Sequence, residues 1–275
     1  MVTSGQLDRT RRLALRLAGI ELFERHREVL DRRLCRVGIR DEAGFDALLD
    51  AVDMGDENAS RRLIGLLTTN FSGFFRHPRH FELAAEHALW AAHRRGEARL
   101  WSAAAATGEE PYSLAMSLIE VFRRDDPPVT LLATDIDEAA LLFARRGEYG
   151  ELSLEALPVG LRARFFEPAA TAKRWRTHVD LHRLVTFRAL NLTDLEWPPT
   201  GLFDVVFCRN VLMYLEAGHR YSVLERLASV LAPDGRLILD PAEHLGKAAH
   251  LFGPGTNGVY PGRPRATPRA DRFRG

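Results

Sequence analysis

From about Glu97 onward, short apolar runs alternate with longer segments of helical period, and no other feature restricts the fold of this chain as strongly. ARLWSAAA and VTLLATDID are followed by the helical EEPYSLAMSLIEVFRR and EAALLFARRG; FDVVFCRN is followed by HRYSVLERLASVLA, and GRLILD is a fourth run. Continuous apolar runs of this length, ending in small or acidic residues, read as strands buried on both faces. Strands that alternate with helices predict an α/β fold with a parallel sheet covered on both sides. The stretch from Phe165 to Leu192 breaks the rhythm. Its Arg, Thr and Val content predicts short extra strands, an inserted β-subdomain over 165–192. The terminal PGRPRATPRADRFRG has three prolines and no period, which predicts a disordered tail over 263–275.

The region before the alternation has a helical pattern. In RRLALRLAGIELFERHREVLDRRLCRVG, apolar residues recur at three- and four-residue steps, which predicts a first helix. DEAGFDALLDAV predicts a second helix opening on Asp41, and ENASRRLIGLLTTN a third. The expected organisation is a helical N-terminal domain over 1–85, a linker over 86–96 and the α/β domain over 97–262. Ten arginines face four acidic residues between Arg9 and Arg40, although the whole chain carries a net charge of only +1. That balance argues against a general nucleic-acid binder. Cys35 and Cys208 fit no metal-ligand spacing, and no apolar run approaches the length of a membrane span. The expectation is a cytoplasmic protein with reduced thiols, no metal and no membrane insertion.

In an open α/β sheet, ligands bind beyond the carboxyl ends of the strands. After the first run comes SAAAATGEE, whose small residues allow close approach to the backbone but which lacks GxGxxG and the lysine of a P-loop. The second run ends at Asp135, where an acidic side chain can accept both ribose hydroxyls of an adenosine. With no phosphate motif beside it, adenosine without pyrophosphate is the leading ligand, and S-adenosylmethionine fits that description. Asp135 could alternatively cap the next helix, a role equally open to Asp137. The third run ends in FCRNVLMY, which places Asn210 at the cleft and Tyr214 one helical turn on. Cys-Arg-Asn stands where adenine and amino-nitrogen methyltransferases carry Asn/Asp-Pro-Pro-Tyr. Pro198 and Pro199 read as loop punctuation. Finally, TTNFSGFFR at 68–76 joins hydroxyls, an amide, aromatic rings and a cation within nine residues, as a polar, partly aromatic ligand would require.

Taken in order, TTNFSGFFR (68–76), WSAAAATGEEPYSLAM (101–116), ATDID (133–137) and FDVVFCRNVLMY (203–214) resemble the chemotaxis receptor methyltransferases, the CheR-type enzymes that methylate glutamates on chemoreceptors. The resemblance runs from about residue 8 to residue 260. It implies a Rossmann-like S-adenosylmethionine-dependent methyltransferase domain with a helical N-terminal domain and a small β-subdomain. It further implies that Asn70, Ser72 and Arg76 close over the cofactor, and that Glu110, Asp135, Asn191, Leu192, Arg209 and Asn210 complete the site. Arg76 and Tyr214 are the expected catalytic residues: Arg76 holds a carboxylate and Tyr214 orients the attacking oxygen or shields the methyl. The implied partners are the cytoplasmic helices of methyl-accepting chemoreceptors, met by a monomer; by its charge, the arginine-rich N-terminal segment is either a solvated face or an electrostatic dock for acidic receptor helices. Two departures stand out. Ser72 replaces a usual threonine, and Asp240-Pro241-Ala242-Glu243 stands where the family often reads Gly-His-Ser-Glu. The glycine-rich GPGTNGVYPG near the end predicts a poorly formed sheet edge. A rival class is a cofactor-binding interaction or sensing module without turnover; a nucleic-acid methyltransferase would need a base-stacking motif that the sequence lacks.

Overall fold

The computed structural model describes residues 2–70, 72–197 and 201–263. The N-terminal helices are α1 (Ser4–Ala18), α2 (Arg27–Arg36), α3 (Glu42–Asp53) and α4 (Glu57–Leu67). Thr3 and Gln6 form a capping box on α1, while Asp41 and Asp56 cap α3 and α4. Leu7, Leu13, Leu30, Leu34, Phe45, Leu49 and Leu63 form their shared core.

The expected first helix over residues 11–38 is two helices. Gly19 adopts φ 63° and closes α1. A Cβ there would lie 2.7 Å from Thr193 Cγ2 and 2.9 Å from the His219 ring, so the break is set by contact with the α/β domain. Glu216 N–H donates to Gly19 O, and Glu21 N–H donates to Tyr214 O, tying the break to that domain. The expected linker over 86–96 is also corrected. Helix α5 runs from Pro78 to Arg95, with proline in its first turn and Gly96 at its carboxyl cap. Its buried face is Phe81, Ala84, Ala85, Ala88, Ala91 and Ala92. Alanine gives a weak periodic signal, yet its small side chain lets α5 lie close on the sheet.

The α/β domain continues with β1 (Ala98–Ser102), α6 (Glu109–Phe122), β2 (Val129–Asp135) and α7 (Glu138–Arg146). Next come β3 (Glu148–Gly150), α8 (Glu151–Leu154), α9 (Val159–Phe165), β4 (Phe166–Pro168), β5 (Arg174–Thr177) and α10 (Val179–Leu184). The chain then forms β6 (Val185–Ala189), β7 (Phe203–Phe207), a single turn at Leu212–Tyr214, α11 (Ala217–Val230), β8 (Leu231–Ile238) and β9 (Val259–Pro261). The main sheet has the order β6-β2-β1-β7-β8-β9, parallel except for β9. β1 lies between β2 and β7, so the strand order reverses beside it and opens a crevice at the carboxyl ends of β1 and β7.

The small sheet differs from the expected insert over 165–192. Its strands are β3, β5 and β4, so it begins before Phe165, while Val185–Ala189 pairs in parallel with β2 at the edge of the main sheet. A half-exposed edge strand and a small antiparallel sheet share the same Arg, Thr and Val composition, and sequence pattern cannot assign either to its partner. The glycine-rich end forms β9, a short antiparallel edge on β8. The expected tail lies outside the described residues beyond Arg263. Among the described residues, no helix is long and apolar enough to cross a membrane.

Candidate cofactor and active site

Between the N-terminal helices and the carboxyl ends of the strands lies a cleft open to solvent. Asn70, Ser72, Arg76, Glu110, Asp135, Asn191, Leu192, Arg209, Asn210 and Tyr214 all line it. Sequence separates these residues by up to 144 positions (214 − 70), and the fold places them on one surface. Ala18, Ile20 and Leu67 add a wall from the N-terminal region that sequence reading missed.

The floor is an ion pair. Arg209, just beyond β7, donates from Nη1 to Glu110 Oε2 at 3.0 Å, and Ser102 Oγ donates to Glu110 Oε1 at 2.9 Å. Glu110 is 8% exposed and Arg209 5%. Burial pushes the Glu110 carboxyl up, against the Arg209 guanidinium and the Ser102 hydroxyl, which favour its charged form. Arg209 Nε and Nη2 are buried without a hydrogen-bonded partner among the described residues, with Nη2 3.8 Å from Asp240 Oδ2.

At the end of β2, Asp135 accepts the N–H of Ala106 through Oδ2 (2.8 Å) and the N–H of Asp137 through Oδ1 (2.9 Å). Each oxygen keeps further acceptor capacity. Burial raises this carboxyl as well, with the backbone N–H groups opposing. Asp135 is therefore not the helix cap. Asp137 is: its Oδ1 accepts the N–H groups of Ala139 and Ala140 at the start of α7. The tight passage from β1 into α6 depends on Gly108 at φ 97°, where a Cβ would lie 2.8 Å from both Ala144 Cβ and Tyr149 Oη.

The nine-residue segment divides its labour differently from the expectation. Thr68 Oγ1 (2.9 Å) and Asn70 Nδ2 (2.7 Å) both donate to Asp137 Oδ2, fastening the segment to α7. Burial raises the Glu109 carboxyl, and the Ser72 hydroxyl is among the groups that oppose this. Phe74 is 3% exposed and packs edge-on against Tyr149 and Phe166; Phe75 packs against Phe81. These two rings anchor the segment in the core and are absent from the cleft lining. Phe71 lies outside the described residues. Arg76 faces the cleft with its side chain 39% exposed.

Asn191 lines the cleft, but its side chain is engaged elsewhere. Nδ2 donates to Leu17 O at 2.8 Å, and Oδ1 accepts from Thr193 N–H and Oγ1. Leu192, with Leu190 and Ile136, gives the cleft an apolar section suited to a flat ring. Asn210 sits at φ 58°, a left-handed conformation that asparagine tolerates better than most residues. Glu243 holds it there. Its carboxylate accepts the N–H groups of Asn210 (2.8 Å), Leu212 (2.9 Å), Asp240 (3.2 Å) and Met213 (3.4 Å). Sequence reading did not assign Glu243, and its signal was a carboxylate retained in an otherwise altered four-residue loop.

Comparison with known proteins agrees with this geometry. Residues 70–256 match the family described as CheR methyltransferase, SAM binding domain. The chain is 36% identical over 255 residues to chemotaxis protein methyltransferase 2 of Pseudomonas aeruginosa, covering 90% of each chain. It is 33% identical over 271 residues to the chemotaxis protein methyltransferase of Salmonella typhimurium (91% of this chain, 92% of the other). With the Escherichia coli chemotaxis protein methyltransferase it shares 34% over 250 residues (89% and 86%). A buried Glu110–Arg209 pair, the Asp135 carboxylate at the end of β2 and the apolar Ile136, Leu190 and Leu192 in one cleft fit S-adenosylmethionine. The chain belongs to the CheR methyltransferase family, and most residues that line its cleft fall within the matched S-adenosylmethionine-binding domain.

Proposed function

We propose that this protein methylates glutamate side chains on the cytoplasmic helices of chemoreceptors, forming methyl esters. The observation that carries this reading is the character of the cleft lining. Among the described residues its only acids are Glu110 and Asp135, both buried and hydrogen-bonded, and none of the described lining residues is a histidine, cysteine or lysine. Arg76 and Tyr214, 39% and 38% exposed, offer a cation and a hydroxyl. Such a site has no free general base and suits a nucleophile that is already an anion. Glutamate is ionised at neutral pH and needs no base.

When bound, S-adenosylmethionine supplies a methyl group made electrophilic by its sulfonium. Asp135 would hold the ribose hydroxyls, Ile136, Leu190 and Leu192 the adenine, and Arg209 with Glu110 the charged amino-acid end. Asn70 and Asn191 serve by fixing the walls, since their side chains bond Asp137 and Leu17. Ser72 and Asn210 border the cleft. Arg76 would orient the acceptor carboxylate, because a guanidinium can grip two oxygens at once. Tyr214 would direct the attacking oxygen and exclude water. The chain's contribution is thus positioning and desolvation. Incubation with tritiated-methyl cofactor and receptor membranes should give base-labile label on the receptor. Label that survives base would exclude an ester.

Replacing Asp135 with alanine should weaken S-adenosylmethionine binding about tenfold or more, the equivalent of roughly 1.5–3 kcal/mol for a hydrogen bond to a charged group. Titration calorimetry with thermal unfolding in parallel checks this. Unchanged affinity would remove the ribose assignment.

Acceptor docking by the arginine-rich segment needs one adjustment. Arg33 donates to Leu66 O (2.7 Å) and Thr69 Oγ1 (2.8 Å), bracing the cleft segment. Arg32 and Arg36 are exposed on the same helix. Reversing those two to glutamate should raise the KM for receptor and flatten its salt dependence while cofactor affinity stays constant. Equal KM values at low salt would assign the docking elsewhere.

A further inference from the structure

Behind the cleft, three cationic or potentially cationic groups converge on one carboxylate oxygen. Asp240 Oδ2 lies 3.6 Å from Arg76 Nη2, 3.8 Å from Arg209 Nη2 and 3.5 Å from His77 Nε2. Asp240 is 4% exposed, and Oδ2 has no hydrogen-bonded partner among the described residues. Its other oxygen accepts Ala242 N–H at 3.1 Å. Asp240 does not line the cleft, whereas Arg76 and Arg209 do. We propose that Asp240 is a positioning residue for methyl transfer, holding the Arg76 guanidinium at the cleft beside Arg209. The proposal rests on the reading of Arg76 as the group that meets the acceptor carboxylate.

The physical argument starts from repulsion. Two guanidinium groups within 4 Å of one oxygen repel each other unless an anion stands between them. Arg209 has a second anchor in Glu110. Arg76 does not: among the described residues its sole ion-pair partner is Asp240. Its backbone is fixed, since Phe75 N–H donates to Ser113 Oγ at 2.9 Å and the neighbouring Phe74 and Phe75 rings are packed. What remains free is the direction of the Arg76 side chain. At 3.6 Å the contact is too long for a normal hydrogen bond, so Asp240 acts on it by charge, strengthened by burial. This hold orients Arg76 without saturating its donors, which leaves them for an incoming carboxylate.

Asp240→Asn keeps the shape and the Ala242 contact while removing the charge. In the protein without ligands, phenylglyoxal should then modify Arg76 several-fold faster, read by peptide mass mapping, because the side chain loses its counter-charge. Single-turnover transfer at saturating cofactor should slow about tenfold, as misorientation of a positioning group does. In an Arg76→Gln background the same substitution should cost nothing further. Asp240→Ser, a smaller neutral variant, should reproduce the faster labelling if the asparagine protein folds poorly. Labelling of Arg76 at the parent rate would overturn the proposal, as would an equal loss of transfer in both backgrounds. Labelling requires neither cofactor nor receptor. A parent protein that fails to esterify receptors would therefore count against the acceptor reading, while the labelling rates still decide the role of Asp240.

Discussion

Glu110→Ala should destabilise the folded protein by about 3–5 kcal/mol, the usual cost of removing one partner from a buried ion pair, and should abolish measurable cofactor binding. The reason is what remains behind. Arg209 is 5% exposed, and its nearest other anion, Asp240, is 3.8 Å away and shared with Arg76 and His77. Urea unfolding measures the loss, and an unchanged m-value would show that the native fold persists. The parent also carries a pH signature. Because burial raises the Glu110 carboxyl in the folded state, that state binds the proton more tightly than the unfolded chain does. The contribution is fully present below the ordinary carboxylate range and declines as pH rises through the raised value. Glu110→Gln cannot titrate, so the stability of the parent relative to this variant should fall as pH climbs above that range. A rise instead would mean that Arg209 outweighs desolvation.

Glu243→Ala should have a comparable effect by another route. It removes the acceptor of four backbone N–H groups, two of them in the buried residues Leu212 and Asp240. Each orphaned buried donor costs about 1–3 kcal/mol, so those two alone give roughly 2–6 kcal/mol. The loss should be local before it is global. Asn210 is held at positive φ within this loop, and its release should raise hydrogen exchange over residues 210–213 and weaken S-adenosylmethionine binding at temperatures where the sheet is intact. Glu243→Gln should fall between, because one carbonyl oxygen survives while its NH2 opposes an N–H. Native exchange in this loop for the alanine variant would show that the turn stands without the carboxylate.

Much of this architecture was legible in the chain. The alternation of short apolar runs with helical segments specified the parallel sheet, because burial on both faces demands continuous apolar strands. Residues just after those strands were readable as site candidates for the same reason: carboxyl ends at a switch point open a crevice. Thus Asp135 and Asn210 could be named from position, Glu110 and Arg209 only through the family resemblance, and all four line one cleft. Elements whose signal is weak or shared were misread. Helix α5 is written in alanine, and β6 has the composition of the small sheet beside it.

The sequence by itself determined which residues carry chemistry, since side-chain type and strand position are local properties. Tertiary structure alone decided what each of them does. Asn70 and Asn191 carry amides at the cleft, yet one fastens α7 and the other the end of α1. Phe74 and Phe75 were candidates for stacking on a ligand, and they are core anchors. Asp240 and Glu243 became significant only when the chain brought Arg76, Arg209 and four backbone N–H groups to them. Hydrogen bonds and ion pairs between segments distant in sequence fix most of those roles, because a donor already satisfied by its own protein is not free for a ligand, and no local pattern records where its partner lies.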